Sequence, residues 1–200
     1  MSRCLDDFFV LSRRALCAAF AAGGSEPPLA VDGTAGNGHD TLFLAEAVGP
    51  GGRVWAFDVQ AAALAAARQR LRQADGGTLE DRVTFVPQGH ETLAVTLPAS
   101  ARGAVRGAMF NLGFLPGSDK AVKTTAKGTV HALTDLMDYM APGGVVSVHC
   151  YTGHAGGREE ALAVESFCAA LPWSAWRAAR HELVNKLRNR ELLFLLEKLK

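Results

Sequence analysis

The stretch Val31-Asp32-Gly33-Thr34-Ala35-Gly36-Asn37-Gly38-His39-Asp40-Thr41 gathers carboxylates, glycines and hydroxyls where an apolar run gives way to a helical pattern. Small residues let a backbone turn sharply and approach a ligand, and a helix start offers unpaired N–H groups. Gly36-x-Gly38 alone carries little information. A second acid, Asp58, closes the next apolar run, at a spacing from which a carboxylate can accept both hydroxyls of a ribose.

These residues discriminate between nucleotide cofactors. Thr41 replaces the third glycine of G-x-G-x-x-G, and Asp32, a carboxylate at the strand end, is poorly suited to a pyrophosphate. It suits a ligand that carries an ammonium group. S-adenosyl-L-methionine has that group, a ribose and an adenine, so Asp32 is expected on the methionine end and Asp58 on the ribose. The other use of Asp32 is to cap the turn that follows it.

Further polar groups fall at later strand ends. Gly89 and His90 of Gln88-Gly89-His90-Glu91 are placed on the adenine side. Asn111, in Phe110–Gly117, can accept hydrogen bonds from an attacking amine and aim its lone pair, with Phe114 as a wall for a base. Tyr151 and His154 can handle protons or bind a polar substrate. His149, Cys150 and His154 are not expected to hold a metal, because strand alternation puts His149 and Cys150 on opposite faces.

The elements that must carry these groups alternate. Strands are expected at Leu29–Asp32, Val54–Asp58, Val83–Val86, Gly107–Asn111 and Val145–Tyr151, and helices at His39–Val48, Ala61–Gln73, Thr129–Met140 and Arg158–Leu171. Gly49-Pro50-Gly51-Gly52, Asp75-Gly76-Gly77, Pro116-Gly117 and Pro142-Gly143-Gly144 read as turns. From Trp176 onward two strand-like runs flank a short polar link, so they must pair antiparallel. The fold class is therefore α/β: a doubly wound, mainly parallel, Rossmann-like seven-stranded sheet with a C-terminal hairpin and helices on both faces.

All of this is expected in one domain over residues 1–200, with an amphipathic helix at Cys4–Ala22 packed on it through Leu5, Phe8, Phe9, Leu16 and Phe20. Lys+Arg 21 against Asp+Glu 20 leaves a net charge of +1, so a nucleic acid would be held by a local patch. Arg188 and Arg190 on the last link are candidates for phosphate contacts. No apolar run approaches the roughly 20 residues that span a bilayer. The scattered Cys4, Cys17, Cys150 and Cys168 suggest reduced thiols in a cytoplasmic protein. Arg13-Arg14 only faintly resembles an export signal, because acids precede it and a strand soon follows.

Asp32–Leu44, Phe57–Gln60, Gly89-His90-Glu91, Phe110–Lys120 with Thr124-Thr125, and Tyr151–Gly157 together resemble class I S-adenosylmethionine-dependent methyltransferases of the rRNA methylase family. That family includes enzymes converting 5-aminomethyl-2-thiouridine at the tRNA wobble position to 5-methylaminomethyl-2-thiouridine. The resemblance implies cofactor contacts at Asp32, Asn37, Gly38, Asp40, Thr41, Asp58, Gln60, Gly89 and His90, and substrate-side roles for Asn111, Tyr151 and His154. It implies the anticodon region of tRNA as partner, with no membrane and no metal, and leaves a homodimer open. Phe114 replaces the Tyr that relatives carry. Methylation of ribosomal RNA or a small amine, a NAD-dependent oxidoreductase and an inactive cofactor-binding module remain alternatives.

Overall fold

Strands that are apolar on both sides need helices on both faces of their sheet. The computed structural model, which describes residues 7–24, 26–113 and 123–200, has that arrangement. Strands β1 (Leu29–Asp32), β2 (Arg53–Phe57), β3 (Val83–Val86), β4 (Val105–Asn111), β5 (Met140–Tyr151), β6 (Trp176–Glu182) and β7 (Glu191–Lys198) form a seven-stranded sheet in the order β3-β2-β1-β4-β5-β7-β6. Strands β1 to β5 are parallel, and β7 runs antiparallel between β5 and β6. Cys4, Leu5, Phe114, Pro116, Gly117 and Lys120 lie outside the described residues.

Helices α1 (Phe8–Ala21), α2 (His39–Ala47) and α3 (Ala61–Asp75) cover one face, packing Leu16, Leu44 and Leu71 against Ala30, Val54 and Val145. Helices α4 (Leu93–Thr96), α5 (Ala126–Tyr139) and α6 (Gly157–Ala170) cover the other, with Leu133 and Val164 against Val31, Phe110 and Val146. The short α4 carries no periodic signal and was not expected. No helix among the described residues is long and apolar enough to cross a membrane.

Two expectations are corrected. Pro142-Gly143-Gly144 is not a turn before β5 but a bulge inside it, where pairing with β4 jumps from Val105↔Met140 to Gly107↔Val145. On α1, capped by the Asp7 carboxylate, Phe8 and Leu16 are buried but Phe20 is only half-buried and Phe9 is 40% exposed. The buried polar residue there is Ser12, whose hydroxyl donates to the Phe8 carbonyl and accepts from Ser147 at 2.8 Å. The cause lies in β5: Ser147, His149 and Tyr151 share the face that α1 covers, so the helix meets a polar stripe.

Strand order reverses between β1 and β4. The crevice outside their carboxyl ends is where an open α/β sheet receives a ligand.

Candidate functional site

A cavity of about 1380 Å³ opens in that crevice, room for a nucleoside cofactor together with a second ligand. Asn37, Asp40, Asp58, Gln60, Gly89, His90, Asn111, Tyr151 and His154 all line it. Its floor is the loop after β1, which passes so close to β4 that a Cβ on Gly33 would lie 2.3 Å from the Phe110 ring. Asp58 is locked at the rim: Oδ2 accepts the Gly36 N–H at 2.9 Å and Oδ1 the Gln60 N–H at 2.8 Å. Each oxygen keeps a lone pair for a hydroxyl.

Asp32, Gly38 and Thr41 do not line the cavity. Asp32 is fully buried beneath the loop, accepting the Thr34 N–H at 3.0 Å and the Thr41 hydroxyl at 2.6 Å. This is the turn-capping arrangement, not a carboxylate turned toward an ammonium. Gly38 caps α2 in a left-handed conformation against Ala67 of α3.

On this side of the loop the carboxylate that faces the cavity is Asp40. Its Oδ2 accepts the Asn111 Nδ2–H at 2.9 Å, while Oδ1 is buried and receives no hydrogen bond from the described residues. The Arg13 guanidinium stands 4.0 Å away. Burial pushes the Asp40 carboxyl above its ordinary range, against the pull of Asn111 and Arg13. A buried carboxylate oxygen without a donor fits a ligand that brings a cation.

Burial, with Asp40 adding to it, also raises the Asp32 pKa from 3.8 to about 7. Between those values the folded state holds a proton that the unfolded state has released. The stability is therefore complete below the unfolded value and is lost as pH rises through about 7. Thermal melting should show wild type losing several degrees between about pH 5 and about pH 8, with a smaller loss in Asp32→Asn.

The two sides of the cavity are tied together under its surface. His90, buried, is 2.9 Å from the Gly33 carbonyl through Nδ1 and 3.4 Å from the Thr129 hydroxyl through Nε2. Buried Glu160 accepts from Thr129 at 2.7 Å and from Thr124 at 2.8 Å, and Thr124 in turn accepts the Gly113 N–H. Sequence reasoning missed Glu160 and Thr129, polar residues near the starts of α6 and α5, where such groups are usually solvated. It also missed the cationic lining of Arg13, Lys123 and Lys127, with the His131 imidazole beside them. Lys127 and His131 have the spacing of one helix face, which was the available signal; Arg13 and Phe9 lay on a helix read as a core element.

A family model described as "Putative rRNA methylase" matches residues 54–197. The chain belongs to this rRNA methylase family. Among its relatives is the chloroplastic tRNA (mnm(5)s(2)U34)-methyltransferase of Arabidopsis thaliana, 36% identical over 173 residues, which are 84% of this chain and 62% of that protein. The chain thus spans about three fifths of the length of that curated relative. A Clostridium thermocellum protein of the family's description has a crystal structure with a TM-score of 0.87 at 30% identity, covering 98% of this chain and 100% of its own. A Streptococcus mutans protein, solved in complex with S-adenosylhomocysteine (SAH), gives 0.81 at 28% identity over 98% of this chain and 99% of its own. The sheet order, the cavity at its switch point and the family agree.

Proposed function

We propose that the chain transfers the methyl group of S-adenosylmethionine to the primary amine of 5-aminomethyl-2-thiouridine at the tRNA wobble position. The observation that carries this reading is the buried Oδ1 of Asp40, which receives no hydrogen bond from the described residues and has the Arg13 guanidinium 4.0 Å away, beside Asn111 in a cavity whose opposite rim holds the Asp58 carboxylate. Asp40 accepts the ammonium of the methionine part, Asp58 the ribose hydroxyls, and Gly89 and His90 border the adenine. When bound, S-adenosylmethionine supplies an electrophilic methyl on a positively charged sulfur. The likeness to a named tRNA methyltransferase and to an SAH-bound protein supports the same assignment.

The acceptor chemistry falls to residues of β4 and β5. An alkyl amine has a pKa of about 10.4, so about one molecule in a thousand is neutral at pH 7. Desolvation in the cavity and the nearby cations disfavour the ammonium form. A carboxylate only accepts, so the Asn111 amide turns its NH₂ to Asp40 and keeps Oδ1 as an acceptor for the amine N–H. A neutral amide at this point orients the amine without stabilising the sulfonium in the ground state.

Asn111→Ala is expected to lower kcat about 30-fold, the loss of roughly 2 kcal/mol of orienting interaction, and to change the cofactor Kd less than about threefold. The substrate assignment is tested with labelled S-adenosylmethionine and tRNA from cells unable to complete the modification, followed by nucleoside mass spectrometry. Label in ribosomal RNA but not in this tRNA overturns the substrate. Calorimetry that registers NAD and no S-adenosylmethionine overturns the cofactor as well.

A further inference from the structure

His149 is a buried imidazole where an apolar side chain would pack as well. Its side chain is 4% exposed, stacked on the Tyr151 ring at 4.3 Å and met edge-on by Phe8 at 5.6 Å and Phe9 at 5.3 Å. The Tyr151 hydroxyl lies 3.2 Å from its Nδ1. The charged groups acting on it come from three directions: Glu191 of β7, whose Oε2 is 3.6 Å from Nε2, Lys186 of the β6–β7 link, and Asp7 at the cap of α1. Burial outweighs the two acids and holds its pKa near 4, so the ring is neutral at pH 7 and carries one N–H.

We propose that His149 is a positioning residue for methyl transfer: its Nδ1 accepts the Tyr151 O–H and so turns the phenol's lone pairs into the cavity, toward the acceptor amine. Nε2 makes no hydrogen bond among the described residues, but the Glu191 carboxylate 3.6 Å away, itself paired with Lys186, favours the single imidazole N–H there by its charge and leaves Nδ1 as the acceptor. Burial raises the Tyr151 pKa, so the residue remains a phenol with one proton to give, and Nδ1 takes it. A primary amine has two N–H bonds and one lone pair. With Asn111 Oδ1 and Tyr151 Oη receiving the two N–H bonds, the remaining lone pair has a single direction, the one aimed at the methyl carbon. The inference deepens the amine-methyltransferase reading and rests on it.

The hydrogen-bond geometry is tested without ligand. Long-range ¹H–¹⁵N spectra of the full chain with labelled histidine, at neutral pH, should show His149 as the Nε2–H tautomer, with an Nδ1 resonance that shifts in Tyr151→Phe. An Nδ1–H tautomer or an imidazolium overturns the proposal.

Kinetics with the tRNA substrate then read the positioning. His149→Phe and Tyr151→Phe should each lower kcat about tenfold, and the double variant about tenfold again in total, not a hundredfold, with cofactor Kd unchanged in all three. His149→Gln, which restores an acceptor, should recover part of the loss. Multiplicative losses, or equal losses in His149→Gln and His149→Phe, overturn the proposal. Failure of the function itself would be distinct: wild type would then leave the amine unmethylated.

Discussion

Replacing Asp40 by Asn is expected to raise the Kd for S-adenosylmethionine about 100-fold, while adenosine binding stays within about twofold. A charge-assisted hydrogen bond in a buried site contributes about 3 kcal/mol at the upper end, and about 1.4 kcal/mol corresponds to a factor of ten. Adenosine lacks the amino acid part and so does not meet Asp40. Asp58→Ala should weaken both ligands, because the ribose is common to them. Isothermal titration of the two ligands against the two variants separates the ends of the site. Equal losses of both ligands in Asp40→Asn would overturn the assignment of Asp40 to the ammonium.

Gly38→Ala should lower the melting temperature by about 10 °C. The residue has φ +78, a conformation that costs an L-residue about 1–2 kcal/mol. Its added Cβ would also lie 2.5 Å from the Cα of Ala67, a backbone atom in the middle of α3 that cannot swing aside, and overpacking of this kind costs about 1–3 kcal/mol. Together these approach 4 kcal/mol, and in a chain of this size each kcal/mol moves the midpoint by about 2–4 °C. Differential scanning calorimetry reads the shift directly. A midpoint within about 2 °C of wild type would mean that α3 is not held against this loop.

The glycines of this loop illustrate what was legible before the structure. Their presence after an apolar run marked a strand, a tight turn and a helix start, and β1 runs Leu29–Asp32 as expected. The same pattern of short apolar runs located the ends of β4 and β5, and hence Asn111 and Tyr151. Which acid of Asp32 and Asp40 faces outward was not legible. The choice depends on Thr41 and the Thr34 N–H claiming Asp32 from below, contacts that exist only once α2 has docked.

Phe9 failed for a different reason. Adjacent helical positions point about 100° apart, so Phe8 and Phe9 reach the His149 ring from different sides, and hydrophobicity alone did not show that Phe8 would be buried while Phe9 stays 40% exposed. The edge of its ring meets His149, and Phe9 borders the cavity. Glu160 escaped notice because an acid in the first turn of a helix is commonplace on a solvated face. Here it is buried, and its partners Thr124 and Thr129 are distant in sequence.

The inside position of β7 makes one edge of β5 depend on the last hairpin. It pairs with β6 as a hairpin, and it is β7 that closes onto β5, so without the hairpin the strand bearing Tyr151 is an open edge. Such distant pairings are slow to form, and an unfinished edge can recruit other chains. The rim that carries Tyr151 is thus complete only with the β6–β7 hairpin in place, and a chain in which that hairpin is displaced presents β5 as a bare edge to other chains.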